Sequence, residues 1–595
     1  MSSTTKSSEL AVADWRPRVR PSRVSWRRVA LMFSTLAICA SVSIMLSGCA
    51  PAPPGSSGDS ADSVAREIEE ADIIKLQDGH LYIANPYSGL RIIDASSMEL
   101  PVMMGSVPLG GRGVELFVRE DLAFVFTAAD FYYCAGRPVG FTGSGVDTQL
   151  LPDYAGSRLW VVDVSDKSAP EVVSTFDFDG FVSATRRIGD VIYAAGNVTS
   201  GIDDLLFGSG VFVTSINIAD PDTIVEVDTE TFSGSSLDIH VSSEAMYVLG
   251  DDPIMDEVTL VSYVDVSDPA GDIVVRDQFR VPGEVETRFF VDEHEGVFRI
   301  ITEEFVDSMW TNVVALYTYD ITNADDITRL ARMPIITGES LRAVRFDGER
   351  GYAVTFVTID PLFVIDLSDP ADPQVTGELE VPGFSTHLVP LGDRLVGVGF
   401  DNTAGTRPAV ALYDVSDPAA PRQLDRIILG ERFTHDTGSA ATVDEKALRV
   451  IEDAGLILLP FSTFDREIGL FTDALQFIVL EETRLRERGT IEHRGFVRRA
   501  DLLDDRVWVL SDEAFQTVNI DDLNEPASLA VLDIFTEQQL LDAGFWSCAI
   551  AAREDATFVT PVFGGPCGLI GMVPLISMFA GLGLLKLSTL RRVSA

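Results

Sequence analysis

The stretch Phe363-Val364-Ile365-Asp366-Leu367-Ser368-Asp369-Pro370 decides the fold, because the chain repeats it. It is an apolar strand that ends in aspartate and runs into a Ser-Asp-Pro turn. The aspartate before proline can accept a hydrogen bond from a backbone N–H two residues on, and proline cannot extend the strand. Clear copies lie at 90–94, 159–166, 264–269, 363–370 and 412–418, and weaker copies surround Ile218, Asp320, Leu480 and Ile520.

The spacing of these copies indicates the architecture. Successive copies are 69, 55, 47, 55, 46, 48, 66 and 40 residues apart, measured at positions 94, 163, 218, 265, 320, 366, 414, 480 and 520. These spacings match the period of propeller blades. Each unit alternates polar and apolar residues and is rich in Val, Ile, Phe and Tyr, as strands are. A further strand precedes several copies, as at 79–84 and 350–354. We predict an all-β fold, a single β-propeller of about eight four-stranded blades, with seven to nine allowed.

Several of these stretches resemble a known family. The segments 338–356, 360–370 and 382–386, together with 70–75 and 429–432, are similar to the secreted beta-propeller domain proteins of bacteria and archaea, whose repeats are of the LVIVD type. The resemblance covers about residues 69 to 535. It implies an exported propeller and supplies no catalytic residues.

The charge of the chain excludes one class of partner. The 595 residues include 45 Lys and Arg and 91 Asp and Glu, which gives a net charge of -46. A protein this acidic lacks the basic surface that nucleic acids and anionic membranes require, so we expect no nucleic-acid partner. With 46% hydrophobic residues, the chain can fill a large core and is not disordered as a whole.

The N-terminus predicts export and anchoring. A basic region is followed by an apolar stretch from Val29 to Leu46 and then by Leu46-Ser47-Gly48-Cys49, which resembles a bacterial lipobox. We therefore expect a lipoprotein-type signal peptide at 1–48, lipidation of Cys49 and a Pro/Gly/Ser-rich tether at 49–71. The alternative is an uncleaved N-terminal membrane anchor.

The C-terminus carries a second apolar run. Residues 568–585 are long enough to cross a bilayer and are followed by Lys586, Arg591 and Arg592. We predict that the propeller domain spans 72–563 and that a transmembrane helix lies in 564–595. The sequence leaves three alternatives for this segment, which are a sorting signal, a plain tail anchor and a buried terminal helix. The expected location is outside the cytoplasm, membrane-anchored, with the body in the periplasm or on the cell surface.

Cysteine, histidine and aspartate residues offer few sites. Cys134 and Cys548 are left in the body and form either a disulfide or two buried free thiols. The six histidines stand in no metal-binding motif, so we predict no zinc site and assign them turn or surface roles. The repeated aspartates could surround the axis and bind calcium, or they could bond to their own turns or to a neighbouring blade; these are Asp94, Asp163, Asp265, Asp320, Asp366 and Asp414.

No cofactor and no catalytic residue is predicted, because the sequence lacks nucleophile-elbow and phosphate-cradling motifs. Insertions at 132–157, 197–210, 303–312 and 431–448 interrupt the repeat. The first insertion region supplies five aromatic residues that either form a binding loop or cover a blade edge: Phe131, Tyr132, Tyr133, Phe141 and Tyr154.

Three functions remain open. The first is a monomeric, envelope-anchored binding or scaffold module with a protein or glycan partner. The second is an extracytoplasmic, hydrolase-like enzyme with an axial site. This function is favoured if at least two of four residues meet in one funnel: His294, Glu303, His387 and Asp436. A His435–Asp436 dyad is not expected, because neighbours in a strand point to opposite faces. The third is an acidic spacer without a pocket.

Overall fold

Forty strands and three short 3-10 turns make up the part of the chain that the structure describes. The structure is a computed structural model that describes residues 68–86, 88–129, 133–134, 137–138, 152–198, 210–232, 238–242, 245–255, 257–305, 312–356, 360–403, 406–430, 435–465 and 470–535. The signal peptide, Cys49, Cys548 and the predicted C-terminal span lie outside these ranges. Within them, no helix has the length and hydropathy of a membrane span.

The strands form nine antiparallel sheets, which are the blades of a propeller. Blades 1 to 4 comprise β2 (Ile74–Gln77), β3 (His80–Asn85), β4 (Gly89–Asp94), β5 (Val102–Val107); β6 (Arg112–Arg119), β7 (Leu122–Ala128), β10 (Ser157–Asp163), β11 (Glu171–Asp177); β12 (Gly180–Ile188), β13 (Val191–Val198), β14 (Val211–Asn217), β15 (Val225–Phe232); β16 (Asp238–Val241), β17 (Ala245–Asp251), β18 (Val258–Asp265), β19 (Val274–Pro282). Blades 5 to 7 comprise β20 (Val291–His294), β21 (Val297–Phe305), β22 (Asn312–Asp320), β23 (Thr328–Thr337); β24 (Ser340–Asp347), β25 (Arg350–Phe356), β26 (Asp360–Asp366), β27 (Gln374–Val381); β28 (Phe384–Leu391), β29 (Arg394–Asp401), β30 (Arg407–Asp414), β31 (Arg422–Ile428).

Blade 8 contains β32 (His435–Gly438), β33 (Arg449–Ile451), β34 (Leu456–Asp465), β35 (Leu470–Leu480) and β36 (Leu485–His493), and blade 9 contains β37 (Val497–Leu503), β38 (Arg506–Ser511), β39 (Ala514–Asn519) and β40 (Ala527–Asp533). The remaining strands are β1 (Ile68–Glu70), which adds to blade 3, and the hairpin β8 (Tyr133–Cys134) and β9 (Arg137–Pro138) between the second and third strands of blade 2. The 3-10 turns are Arg288–Phe290, Ala440–Thr442 and Glu445–Ala447.

The predicted fold class is confirmed, and the blade number is nine, at the upper end of the expected range. Nine apolar clusters each join two neighbouring blades, for example blades 1 and 2 through Tyr82 and Val125. One cluster joins blade 9 to blade 1 through Trp508, Phe515 and Leu81, so the ring closes by side-chain packing between complete sheets.

The strand order gives the ring two distinct faces. The turns from first to second strand and from third to fourth strand lie on one face, which we call the turn face; the Ser-Asp-Pro turns belong to it. The connections from second to third strand and the links between blades lie on the other, which we call the loop face. The described chain ends there, at Phe535, after the outermost strand of blade 9.

Each repeated aspartate stabilises its own turn. The Oδ1 atom of Asp366 accepts a hydrogen bond from the Ser368 N–H at 3.0 Å, and Asp94, Asp163, Asp265, Asp320 and Asp414 accept from the residue two positions on at 2.8–3.0 Å. In blades 3 and 9, Asn217 and Asn519 take this place. Of the two alternatives for these aspartates, bonding within the turn is therefore correct, and they lie at the ends of third strands rather than around the axis.

Neighbouring blades are joined near the turn face as well. Asp277 Oδ2 in blade 4 accepts a hydrogen bond from the Ile327 N–H of blade 5 at 2.8 Å, and Asp425 Oδ2 in blade 7 accepts from Leu485 N–H of blade 8 at 2.9 Å. Glycines in outer strands allow close packing: a Cβ at Gly377 in blade 6 would overlap the Pro418 carbonyl oxygen of blade 7.

Candidate functional site: the axis of the ring

The axis contains a segment that precedes the blades. Strand β1 pairs antiparallel with β12, the innermost strand of blade 3, with Ile68 opposite Ile188 and Glu70 opposite Arg186. Ile188 lies at the turn face, so the segment enters the ring from that face and runs toward the loop face. We call Ile68–Asp72 the axial segment. It places the first propeller contacts four residues before the boundary expected at residue 72.

Each acidic side chain of the axial segment pairs with cations. Glu69 contacts Arg187 at 2.5 Å and Lys75 at 2.9 Å. Glu70 Oε1 lies 2.9 Å from Arg288, 3.4 Å from Arg186 and 3.6 Å from Lys446. Asp72 Oδ1 lies 2.8 Å from Arg499 Nη2. These cations come from blades 1, 3, 5, 8 and 9, so the segment connects parts of the ring that are far apart in sequence: Lys75, Arg186, Arg187, Arg288, Lys446 and Arg499.

Blade 8 supplies the other half of this network. Its innermost strand is interrupted between β32 and β33, where residues 439–448 form two 3-10 turns. Lys446 Nζ donates to the Ala71 carbonyl at 2.6 Å, Asp444 contacts Arg499 at 2.7 Å, and Glu445 contacts Arg288 at 2.9 Å. The described part of the 431–448 insertion is thus largely buried in the ring rather than exposed for recognition.

Burial and charge perturb the acid–base properties of the axis. Burial alone would raise the pKa of Asp72, but Arg499 and Lys446 hold it below its ordinary value. Burial lowers the pKa of Lys446, against the opposing effect of Asp72 and Glu70. Burial also raises the pKa of Glu115, in the first strand of blade 2, to about 7, although its carboxylate accepts a hydrogen bond from Thr185 at 2.6 Å. These carboxylates are held by the protein's own cations and hydroxyl groups.

The histidines occupy different sites from those expected. His493 is buried and His240 and His387 are partly buried. Loss of solvation lowers the pKa of each to about 4, so they are neutral at pH 7. The expectation of turn or surface positions is wrong for these three. His240 and His387 lie in innermost strands, which turn alternate residues into the ring. His493 ends the outermost strand of blade 8, and its Nδ1 lies 2.8 Å from Gln516 Oε1 of blade 9. His80 fits a turn position, since its Nδ1 lies 2.9 Å from the Asp78 carbonyl oxygen.

The four residues proposed for an axial enzyme do not all converge. His294 pairs with Val297 at one end of the β20–β21 hairpin, whereas Glu303 lies near the far end of β21. Glu303 accepts from Asn312 Nδ2 at 2.6 Å and Leu341 N–H at 2.9 Å. His387 is in the innermost strand of blade 7. The side chains of His435 and Asp436 lie outside the described residues.

The structure describes only part of the predicted binding loop. Tyr154 donates to the Gly110 carbonyl at 2.7 Å, packs edge-on against Trp160, and carries the Arg158 guanidinium 4.3 Å above its ring, so it packs against β10 of blade 2. Tyr133 and Cys134 are placed in β8 by backbone alone. Phe131, Tyr132 and Phe141 lie outside the described residues. Within the described ranges, no group of three or more acidic, histidine or cysteine side chains could hold a metal ion.

Comparison with known proteins agrees with this architecture. A family model described as a beta propeller domain matches residues 64–204 and 207–523. An uncharacterized protein of Methanocaldococcus jannaschii is 36% identical over 152 residues, which are 25% of this chain and 23% of that protein. An uncharacterized protein of Archaeoglobus fulgidus is 31% identical over 238 residues, 39% of this chain and 33% of that protein.

The chain therefore spans 23% and 33% of the length of these two relatives. Among solved structures, Saccharomyces cerevisiae Sqt1 aligns with a TM-score of 0.38 at 10% identity, covering 57% of this chain and 82% of that one. The family model matches more than half of the chain, and it does so across all nine blades. The chain belongs to the beta propeller domain family.

Proposed function

We propose that this protein is an exported, envelope-anchored β-propeller of the LVIVD-repeat type that serves as a rigid binding or scaffold module for a protein or glycan partner. The observation that carries the proposal is the filled axis. The space in which a propeller would gather catalytic groups from several blades holds the axial segment, and the carboxylates of Glu69, Glu70 and Asp72 are paired with the protein's own cations. Recognition is then left to the faces and the rim.

The path of the chain supports an orientation for the module. The axial segment enters from the turn face, and Cys49 lies nineteen residues before Ile68. A lipid on Cys49 therefore draws the turn face toward the membrane and leaves the loop face pointing away from it. The sequence insertions at 132–157, 197–210 and 303–312 all fall between second and third strands, whose ends lie at the loop face.

Anchoring is tested by the intact mass of the protein isolated from the membrane fraction of its native host. We expect a mature chain that begins at lipidated Cys49, and we expect Cys49→Ala to abolish both the lipid mass and the processing at this position. An unprocessed chain retaining residues 1–48, or a chain recovered only from the cytosol, would contradict the proposal. The same spectrum reports whether residues 564–595 remain.

Binding at the loop face is tested with a matched pair of photo-crosslinking positions. Ile254 lies between the second and third strands of blade 4 and is 82% exposed, whereas Leu100 lies in a third-to-fourth-strand turn of blade 1 and is 75% exposed. With a diazirine amino acid at each position in cells, we expect a discrete adduct from position 254 and none from position 100. Adducts of equal yield, or an adduct from position 100 alone, would reject recognition by the loop face.

A further inference from the structure

The axial segment contacts the ring as a bound peptide would. Only Ile68–Glu70 pairs as a strand, along one edge of blade 3, and beyond it the Leu116 N–H of blade 2 donates to the Asp72 carbonyl at 2.8 Å. This is the geometry of strand addition, in which main-chain hydrogen bonds hold an extended segment against an exposed edge and side-chain pockets give specificity. The side chains that meet it come from blades distant in sequence.

The lining of the axis is complementary in charge to an acidic ligand. Six cations contact the axial segment from the blades: Lys75, Arg186, Arg187, Arg288, Lys446 and Arg499. Two carboxylates from blade 8, Asp444 and Glu445, share Arg499 and Arg288 with it. Without the segment, six cations would face these two carboxylates and the buried Glu115, which interacts with Lys446 and Arg186, in a chain whose overall net charge is -46. A concentration of buried positive charge in so acidic a protein requires an anionic occupant.

The spacing of the contacts defines which anionic segment fits. Glu69 and Glu70 are adjacent in a strand, so they point in opposite directions and reach Arg187 on one side and Arg288 on the other. Asp72, two residues after Glu70, contacts Arg499. Ala71, between Glu70 and Asp72, is fully buried, and its carbonyl oxygen accepts a hydrogen bond from Lys446 Nζ. The site therefore selects two acidic residues, a small residue and a third acidic residue in extended conformation.

We propose that the axis of the ring is a binding site for an extended acidic peptide, and that the axial segment Ile68–Asp72 is its resident ligand, which the same sequence supplied in trans can replace. The inference concerns the ring itself and holds whether or not the protein is exported or anchored. Because the resident is covalently attached, its effective concentration is on the order of millimolar, and a free peptide at micromolar concentration cannot displace it from the unaltered chain.

The test is a peptide-exchange experiment on the full chain. The resident ligand is weakened, without changing its shape, by Glu69→Gln, Glu70→Gln and Asp72→Asn together. The probe is a fluorescent peptide with the sequence of residues 66–74, followed by anisotropy. We expect saturable micromolar binding to the triple variant, at least tenfold weaker binding to the unaltered chain, and loss of affinity as salt rises, because the contacts are ionic.

Controls separate axial binding from adsorption. A probe in which alanine at the position of Ala71 is replaced by leucine, and a probe with its three acidic residues neutralised, should each lose at least tenfold in affinity for the triple variant. Adding Arg288→Gln to the triple variant should weaken the native probe by about tenfold or more, since a hydrogen-bonded ion pair is lost. Equal binding of all probes would overturn the proposal.

A milder variant covers the case in which the triple variant does not fold. Glu69→Gln with Glu70→Gln leaves the buried Asp72–Arg499 pair intact. Its near-ultraviolet circular dichroism should match that of the unaltered chain, and it should bind the probe more tightly than the unaltered chain does. If the double variant folds but does not bind the native probe up to millimolar concentration, the axial segment is a fixed part of the core and not an exchangeable ligand.

Discussion

The turn face and the axis both depend on carboxylates, but they satisfy them in opposite ways. At the turn face, Asp366 and its counterparts accept hydrogen bonds from backbone N–H groups two residues away, and they lie near solvent. At the axis, Asp72 pairs with Arg499, which is 427 residues away in sequence, inside the ring. The first arrangement is local and repeated, whereas the second exists only after nine blades have closed.

The largest effect is expected from removing the charge at the centre of the axis. Arg499→Met would leave Asp72 and Asp444 buried without their shared cation. We expect a loss of about 3 to 5 kcal/mol in the free energy of unfolding, because an uncompensated buried charge is costly. Chemical denaturation measures it.

The matched control for that prediction lies at the turn face. Arg422 pairs with Asp414, but its side chain is 71% exposed. Arg422→Met should cost less than about 1 kcal/mol, since water and salt screen an exposed pair. Equal losses for the two variants would mean that the axial pairs contribute no more than surface pairs do, and the contrast between the two regions would fail.

A smaller loss is expected where one blade packs under the turn of the next. A Cβ at Gly377 would overlap the Pro418 carbonyl oxygen, and backbone cannot move aside as a side chain can. Gly377→Ala should therefore cost about 1 to 3 kcal/mol by overpacking. Gly351→Ala is the control. Its Cβ would meet side chains only, the nearest being the end of Leu367 at 3.3 Å, with Ile365 and Phe346 at 3.6 Å, so thermal unfolding should barely change.

The pH dependence of the axis comes next in size. The pKa of Glu115 is raised to about 7 by burial, so the folded protein binds this proton more tightly than the unfolded chain does. The resulting stabilisation is complete below about pH 4.5 and is lost as the pH rises through 7. Since one pKa unit corresponds to about 1.4 kcal/mol and nearly two units are lost between pH 5 and pH 8, Glu115→Gln should gain about 2 kcal/mol relative to the unaltered chain over this range.

Thermal melts at the two pH values decide this prediction. His240 and His387 act in the opposite direction, because burial lowers their pKa to about 4 and acidification below 6.5 then favours the unfolded chain. The two histidines contribute equally to the stability of Glu115→Gln and of the unaltered chain, so their effect cancels when the two stabilities are subtracted. If the gap between Glu115→Gln and the unaltered chain does not widen from pH 5 to pH 8, Glu115 is not a buried proton-binding group.

The same contrast explains what the sequence could predict. The blades and their turns were predictable because a phrase such as Asp366-to-Pro370 contains its own hydrogen-bond partners and repeats. Residues 68–71 of the axial segment fall in the predicted tether, since a strand of three residues is too short to show strand periodicity. Lys446 and Arg499 lie outside the repeated phrase. Nothing local distinguishes them from surface cations, and their role is set by closure of the ring.

The smallest effect is expected at a single turn. Asp414 accepts hydrogen bonds from the backbone and hydroxyl of Ser416, which with Arg422 lower its pKa to about 2. Asp414→Ala should cost about 1 kcal/mol at pH 7, the net value of a lost hydrogen bond, and Asp414→Asn should cost less because its amide oxygen can still accept. Because the folded pKa lies below the unfolded value, this contribution persists at neutral pH and disappears as the pH falls from 3.8 through about 2. A cost comparable to that of Arg499→Met would mean that one turn supports more than its own blade, and that the repeated and the axial carboxylates are not independent.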